Sequence, residues 1–156
     1  AILQTGVFLG TKHAFGVMRK QGSGSIINIS STAGVQGGLG AHAYTTAKHG
    51  VIGLTKSVAV EAAPYRVRVN ALCPGATLSS LTAGVVTGDP DNLDDAYIRL
   101  SSKYAGGRAP KPEDMANAAL FMASDESEFM SGAVLVIDAG KETLSDRAQK
   151  FYPIEA

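Results

Sequence analysis

Two short apolar, β-branched runs enclose a long helical stretch, and that arrangement limits the fold more than any other feature of the chain. The first run is Ser25-Ile26-Ile27-Asn28-Ile29-Ser30 and the second spans Arg66 to Leu72. The first is short and uninterrupted, as expected of a strand covered on both faces in a parallel sheet. Between the runs, Ala47, Val51, Leu54, Val58 and Ala62 advance at the period of a helix, predicted over about 41–63 and stopped near Pro64. Ahead of them, Val7, Phe8, Thr11, Phe15 and Met18 keep the same period and predict a helix with one buried face, closed by Gln21-Gly22-Ser23-Gly24. Beyond Pro74-Gly75, Pro112 with Glu113 and Asp114 opens a further helix through Met115, Ala119 and Met122. Val134 to Ile137 reads as a last strand. Elements alternating in this way, with glycine-rich joints, specify an α/β fold: a parallel sheet wrapped by helices.

Two stretches stand apart from the alternation. Gly34 to Gly40 is a glycine-dense loop, and 76–108 carries scattered Gly, Pro and Asp with weak periodicity. An irregular stretch of that length in a compact domain usually serves as a lid or binding loop.

A length of 156 residues suits one domain with a real core and leaves little room for a second. Lys plus Arg and Asp plus Glu balance at 14 each, with no basic run, so the footprint of a nucleic-acid partner is missing. The lone Cys73 cannot form an internal disulfide, and His13, His42 and His49 have no cysteines at metal-ligand spacing, so no metal site is expected. No apolar run approaches the roughly 18 residues of a membrane span, and Ala1 to Gly10 is followed by Lys12 and His13 without a cleavage-like site. These features predict a soluble, cytoplasmic protein without membrane or nucleic-acid partners. The chain opens at Ala1, without a methionine and inside helix-like sequence, and reads as a piece of a longer protein.

The residues that carry chemistry cluster around the first strand and the helix after it. Ser31 closes the strand, and Tyr44 and Lys48 lie four apart, hence on one face of the helix about a turn apart. A positive charge beside a phenol favours its phenolate form, which makes Tyr44 a candidate general acid or base. Ser31 can donate a hydrogen bond to the same substrate oxygen and stabilise developing alkoxide charge. All three fall where open α/β sheets bind ligands, the C-terminal edge of the strands. The set suits chemistry at a carbonyl or carbinol carbon.

From about Leu3 to Gly140 the chain resembles the short-chain dehydrogenase/reductase superfamily. The resemblance rests on Gly24-Ser25-Ile26-Ile27-Asn28-Ile29-Ser30-Ser31, on Tyr44-x-x-x-Lys48, and on Arg66-Val67-Arg68-Val69-Asn70 leading into Pro74-Gly75. Pro112-Glu113-Asp114, and Ser131-Gly132 before Asp138-Ala139-Gly140, complete it. It implies the C-terminal part of a Rossmann-like, doubly wound parallel sheet, and an NAD(P)-dependent oxidoreductase moving hydride between the nicotinamide and an alcohol or ketone. By that likeness Tyr44 exchanges the proton, Lys48 tunes Tyr44 and bonds the nicotinamide ribose, and Ser31 polarises the carbonyl. Pro74, Gly75 and Thr77 line the nicotinamide, and Ser79 stands where the family usually has a threonine that meets the carboxamide. Residues 76–108 correspond to the substrate loop, and the two long helices to faces that form homo-oligomers, dimers or tetramers. The subgroup resembles secoisolariciresinol and xanthoxin dehydrogenases, or glucose dehydrogenases, through His42-Ala43-Tyr44-Thr45-Thr46-Ala47-Lys48-His49, which leans towards NAD rather than NADP.

Departures from the family pattern matter equally. The family's glycine-rich dinucleotide turn, its selector for the adenosine ribose and its Asn-Asn-Ala-Gly strand have no counterpart, so 1–156 reads as a partial NAD(P)-binding domain without its N-terminal half. Gly34 to Gly40 lacks the Gly-x-Gly-x-x-Gly form and precedes the wrong element to replace that turn. Leu3 stands where the family's catalytic asparagine usually sits, so a four-residue proton relay is not expected. A second reading is a catalytically inactive interaction module that pairs through its long helices.

Overall fold

The structure, a computed structural model, describes residues 2–104 and 106–141. The expected domain over 1–156 extends beyond them, and 142–156 lie outside the described residues. Helix α1 (Ile2–Gln21) leads into strand β1 (Gly24–Ile29), helix α2 (His42–Ala62) and strand β2 (Val67–Pro74). Helices α3 (Ser80–Thr87), α4 (Leu93–Ser101) and α5 (Pro112–Ala123) follow, then strand β3 (Val134–Ile137). The sheet has the order β1-β2-β3. β1 and β2 are parallel, with Gly24 opposite Val67 and Ile29 opposite Leu72. β3 is tied to β2 by Gly132 N–H donating to the Val69 carbonyl at 2.8 Å and Ala71 N–H to the Ala133 carbonyl at 2.9 Å.

The described chain divides into two compact units. One comprises 2–74 with 115–136, and the other 75–114 with 137–141. In the first, Phe15, Ile26, Ala59, Ala62, Val67 and Val69 form one buried cluster, and Ile52, Ala71 and Cys73 a second against which Val134 packs. Fully burying a side chain of Val or Leu size is worth about 1.5–3 kcal/mol, so these clusters fix α1 and α2 on the sheet. The edge-on ring pair Phe15 and Tyr65, centroids 5.9 Å apart, closes the far end of that core.

Three expectations are corrected. The buried stripe of α2 is Lys48, Val51, Ile52, Thr55, Ala59 and Ala62, with Leu54 and Val58 only partly covered, so it is rotated about the helix axis from the apolar stripe. Buried polar side chains, which an apolar count overlooks, cause the rotation. In α1, Thr11 and Phe15 are buried as expected of that face, but Phe8 is half exposed. On β1, Ile26 and Asn28 are buried, Ser25 and Ile27 on the other face are half-buried, and Ile29 is 47% exposed, so the second face is only partly covered.

The second unit also differs from its expected irregularity. Residues 76–108 contain α3 and α4, each begun by a side-chain cap: Ser79 Oγ accepts from Thr82 N–H, and Asn92 Oδ1 from Asp95 N–H. Such caps satisfy otherwise orphaned helix donors. Gly88, at φ 86°, ends α3 in the left-handed region open to glycine. Ala83, Ala96, Leu100 and Tyr104 are this unit's buried anchors.

Candidate active site

Ser31 follows β1 in extended backbone, and its Oγ accepts a hydrogen bond from Ala33 N–H at 3.2 Å. That bond starts a buried 3-10 turn over Thr32–Gly34, which packs on α2. The fit depends on Gly34: a Cβ there would lie 2.8 Å from the Lys48 carbonyl oxygen and collide with Ser30 Oγ. At the other end of the glycine-dense loop, a Cβ on Gly40 would come within 3.0 Å of Tyr44 Cδ1, so the phenol ring lies close over the loop.

Tyr44 occupies the first turn of α2 and Lys48 the next. The Lys48 Nζ lies 5.6 Å from the centroid of the Tyr44 ring and donates to the Ile29 carbonyl at 3.0 Å. Ser30 Oγ donates to the Lys48 carbonyl at 2.8 Å. Lys48 is only 8% exposed, and burial pulls its ammonium below the usual lysine range, with the nearby Cys73 opposing. Burial also pushes the Cys73 thiol up, against hydrogen bonding from Ser30 and the Ser31 backbone and the charge of Lys48. An ammonium has three N–H donors, of which the Ile29 carbonyl takes one.

Tyr44 and Lys48 are therefore brought together, and Ser31 is brought against their helix by the 3-10 turn it caps. Pro74 ends β2. By the β1–β2 register, which pairs Ile29 with Leu72, Pro74 falls level with Ser31 at the same sheet edge. Gly75, Thr77 and Ser79 belong to the second unit. There Gly75 N–H donates to Ile137, and a Cβ on Gly75 would meet Asp138 Cβ at 3.0 Å and the Tyr104 hydroxyl at 3.2 Å. Thr77 Oγ1 donates to the Gly75 carbonyl at 3.2 Å, and the Ser79 hydroxyl serves as the α3 cap.

Sequence reasoning placed Thr11 on the buried face of α1 but missed its polar partners behind the site. Thr11 Oγ1 donates to Asn28 Oδ1, and Asn28 Nδ2 to Thr55 Oγ1, both at 3.0 Å and buried. This chain links α1, β1 and α2. Polar residues at Asn28 and Thr55, within otherwise apolar elements, were the available signal. A cleft of about 980 Å³ in the first unit lies at the opposite end of the strands, beside Gly24, Ser25, Val67 and Arg68. It holds none of Ser31, Tyr44 and Lys48.

A parallel sheet whose C-terminal edge gathers a hydroxyl, a phenol and a buried ammonium is an α/β ligand-binding architecture. Over residues 1–142 the chain matches the family described as enoyl-(acyl carrier protein) reductase. It is 42% identical over 152 residues to (+)-borneol dehydrogenase 2 of Salvia officinalis, covering 95% of this chain and 54% of the relative. Identity to xanthoxin dehydrogenase of Arabidopsis thaliana is 39% over 140 residues, covering 86% of this chain and 49% of that protein. The solved structure of ElxO with NADP bound is similar at a TM-score of 0.75 and 32% identity, covering 88% of this chain and 54% of that one. The chain belongs to the short-chain dehydrogenase/reductase superfamily, a family of NAD(P)-dependent oxidoreductases with a Rossmann-like fold. It spans about half the length of the curated relatives it matches.

Proposed function

We propose that the complete protein is an NAD(P)-dependent oxidoreductase acting between an alcohol and its ketone, with Tyr44 as the acid/base. One observation carries this reading: the buried Lys48 ammonium is held one helical turn from Tyr44 at the C-terminal edge of the sheet. Tyr44 has a phenol that can take the proton of an alcohol or return one to an alkoxide, with the Lys48 ammonium beside its ring. Ser31 donates its hydroxyl proton to the same oxygen while its Oγ still accepts from Ala33 N–H. Lys48 offers its remaining donors to the nicotinamide ribose.

When bound, the dinucleotide supplies the hydride chemistry. Its nicotinamide end fits the donor set of Lys48, and Pro74, Gly75, Thr77 and Ser79 follow directly along the chain to line the ring and carboxamide. No Gly-x-Gly-x-x-Gly turn occurs in the sequence to take the pyrophosphate. Likeness to the xanthoxin dehydrogenase subgroup favours NAD, while the similar ElxO structure carries NADP, so both are to be assayed.

Substrate contacts come from 76–108, where α3 presents exposed Leu81 and Val85 at helical spacing. Exposed Phe8 and Leu9 on α1 support self-association of the complete protein, which sedimentation would measure. Among the described residues no helix is long and apolar enough to cross a membrane, and we read the protein as cytoplasmic.

The test is Tyr44→Phe in the complete protein, assayed for nicotinamide reduction with a panel of secondary alcohols that includes borneol. Loss of turnover with an unchanged circular dichroism spectrum supports the role. Activity within a few-fold of the parent removes Tyr44 from it.

A further inference from the structure

We propose that Ser30 is a positioning residue that holds Lys48, and with it Tyr44, in register with Ser31. Its catalytic consequence rests on the function proposed above; its structural content does not. Ser30 is buried, and its N–H and its hydroxyl are bound to different elements. Its N–H donates to the Leu72 carbonyl at 2.8 Å, fixing the end of β1 on β2. Its hydroxyl donates to the Lys48 carbonyl at 2.8 Å, fixing α2 on β1 at the residue that carries the ammonium. The ammonium then returns to β1 at the Ile29 carbonyl, 3.0 Å away, one residue before Ser30.

Two bonds of opposite polarity thus close a small ring between Ile29 at the end of β1, Ser30 just after it, and one residue of α2. A helix tethered only by apolar packing can slide or turn slightly about its axis, whereas one hydrogen-bonded to the strand at its own backbone cannot do so without breaking that bond. Ser31, next in the chain, is carried by the same backbone. Gly34 completes the device, since a side chain there would occupy the space of the Ser30 hydroxyl and press on the Lys48 carbonyl. Reacting groups displaced by about 1 Å can cost on the order of a hundredfold in rate, so a tether at this point has catalytic weight.

Thr55 is the control. It is also a buried hydroxyl between α2 and β1, accepting from Asn28 and donating to the Val51 carbonyl, but it lies two helical turns beyond Lys48. The experiment compares Ser30→Ala, Gly34→Ala and Thr55→Ala with the parent in the full chain, using lysine side-chain carbon NMR across a pH titration. Cys73 on β2 is the titratable neighbour of Lys48 and also bonds Ser30, so each variant is repeated on a Cys73→Ala background.

We expect Ser30→Ala to shift the Lys48 resonance and raise its titration midpoint towards the ordinary lysine value of 10.5, as the ammonium loses its buried seat. Thr55→Ala lowers stability but leaves the Lys48 signal in place. Gly34→Ala repeats the Ser30→Ala signature if it folds; if it does not, Ser30→Ala alone decides. An unmoved Lys48 titration in Ser30→Ala, or an equal shift in Thr55→Ala, overturns the proposal. Failure of Tyr44→Phe to reduce turnover would overturn the catalytic reading instead, and leave the Lys48 titration as the measure of the tether.

Discussion

Polar side chains at the junction of β1 and α2 reach across the chain, whereas those of 76–104 mostly bind their own neighbours. Ser30 meets a carbonyl 18 residues away, Lys48 one 19 away, and Asn28 a hydroxyl 27 away. Thr77, Ser79, Thr87 and Asn92 find partners two to five residues off, in caps and turns. Tyr104 makes a longer tie, its hydroxyl donating to the Ala76 carbonyl at 3.3 Å. Long-range pairs place side chains from different elements at fixed mutual positions, which acid/base chemistry requires. Local pairs make a helix self-sufficient without dictating what its outer face carries. A substrate-binding segment can therefore change its exposed residues, such as Leu81 and Val85, without disturbing the caps.

The contrast is broken most sharply by removing a reacting group from the first region. Tyr44→Phe in the complete protein should lower turnover by about 10²–10⁴, the usual range for a positioned general acid or base. Substitutions that keep the caps of α3 and α4 should instead alter substrate preference with much smaller losses on the best substrate. Equal losses in the two regions, measured as kcat/KM over the same alcohol panel, would remove the distinction.

Stability gives the next test. Asn70 is fully buried in β2; its Nδ2 donates to the Met130 carbonyl at 2.6 Å, and its Oδ1 accepts from Ala133 N–H at 3.0 Å. These bonds join positions 60 and 63 residues apart. Asn70→Ala leaves both backbone partners without it, which should cost about 2–4 kcal/mol in urea unfolding. Ser79→Ala, which removes a cap made three residues away, should cost about 1 kcal/mol. A rise in dinucleotide KM without that loss would assign the Ser79 hydroxyl to the cofactor rather than to α3.

Why the sequence shows the first region better than the second follows from the same difference. Ile26, Val67, Val69 and the long α2 period announce a sheet with a helix across it, and Tyr44 and Lys48 need only helical spacing to be placed together. The rotation of α2 was hidden because Lys48 and Thr55 are polar, and only their partners on β1 make them interior residues. Helix α3 escaped because Leu81 and Val85 point outward, which erases its amphipathic periodicity, and α4 because its apolar face runs over only nine residues. Their visible signals were the caps, Ser79 three before Thr82 and Asn92 three before Asp95. Ser30 looked like a strand terminus beside the more obvious Ser31. Its role depends on the Lys48 carbonyl, and since every residue carries a carbonyl, only the fold singles that one out.

The smallest effect comes from a charge at the surface of the second unit. Asp114 accepts two hydrogen bonds from the Arg108 guanidinium, at 2.8 and 3.0 Å, and one from Lys111 N–H at 2.7 Å. The last is the reach back to the N-cap that starts α5. Hydrogen bonding from Arg108, then from the Lys111 backbone, lowers the carboxyl from 3.8 to about 2. A carboxyl depressed by folding stabilises the folded state above its ordinary value, and that contribution is lost as pH falls from about 4 through 2. Asp114→Asn keeps an acceptor for Lys111 but discards the charge. The parent should therefore exceed the variant in stability near neutral pH, and their unfolding midpoints should converge between pH 4 and 2. Salt should shrink the neutral-pH gap, because the pair is exposed. A gap that persists at pH 2 would show that Asp114 acts through its shape rather than its charge, and would make this locally bonded segment more dependent on geometry than its caps imply.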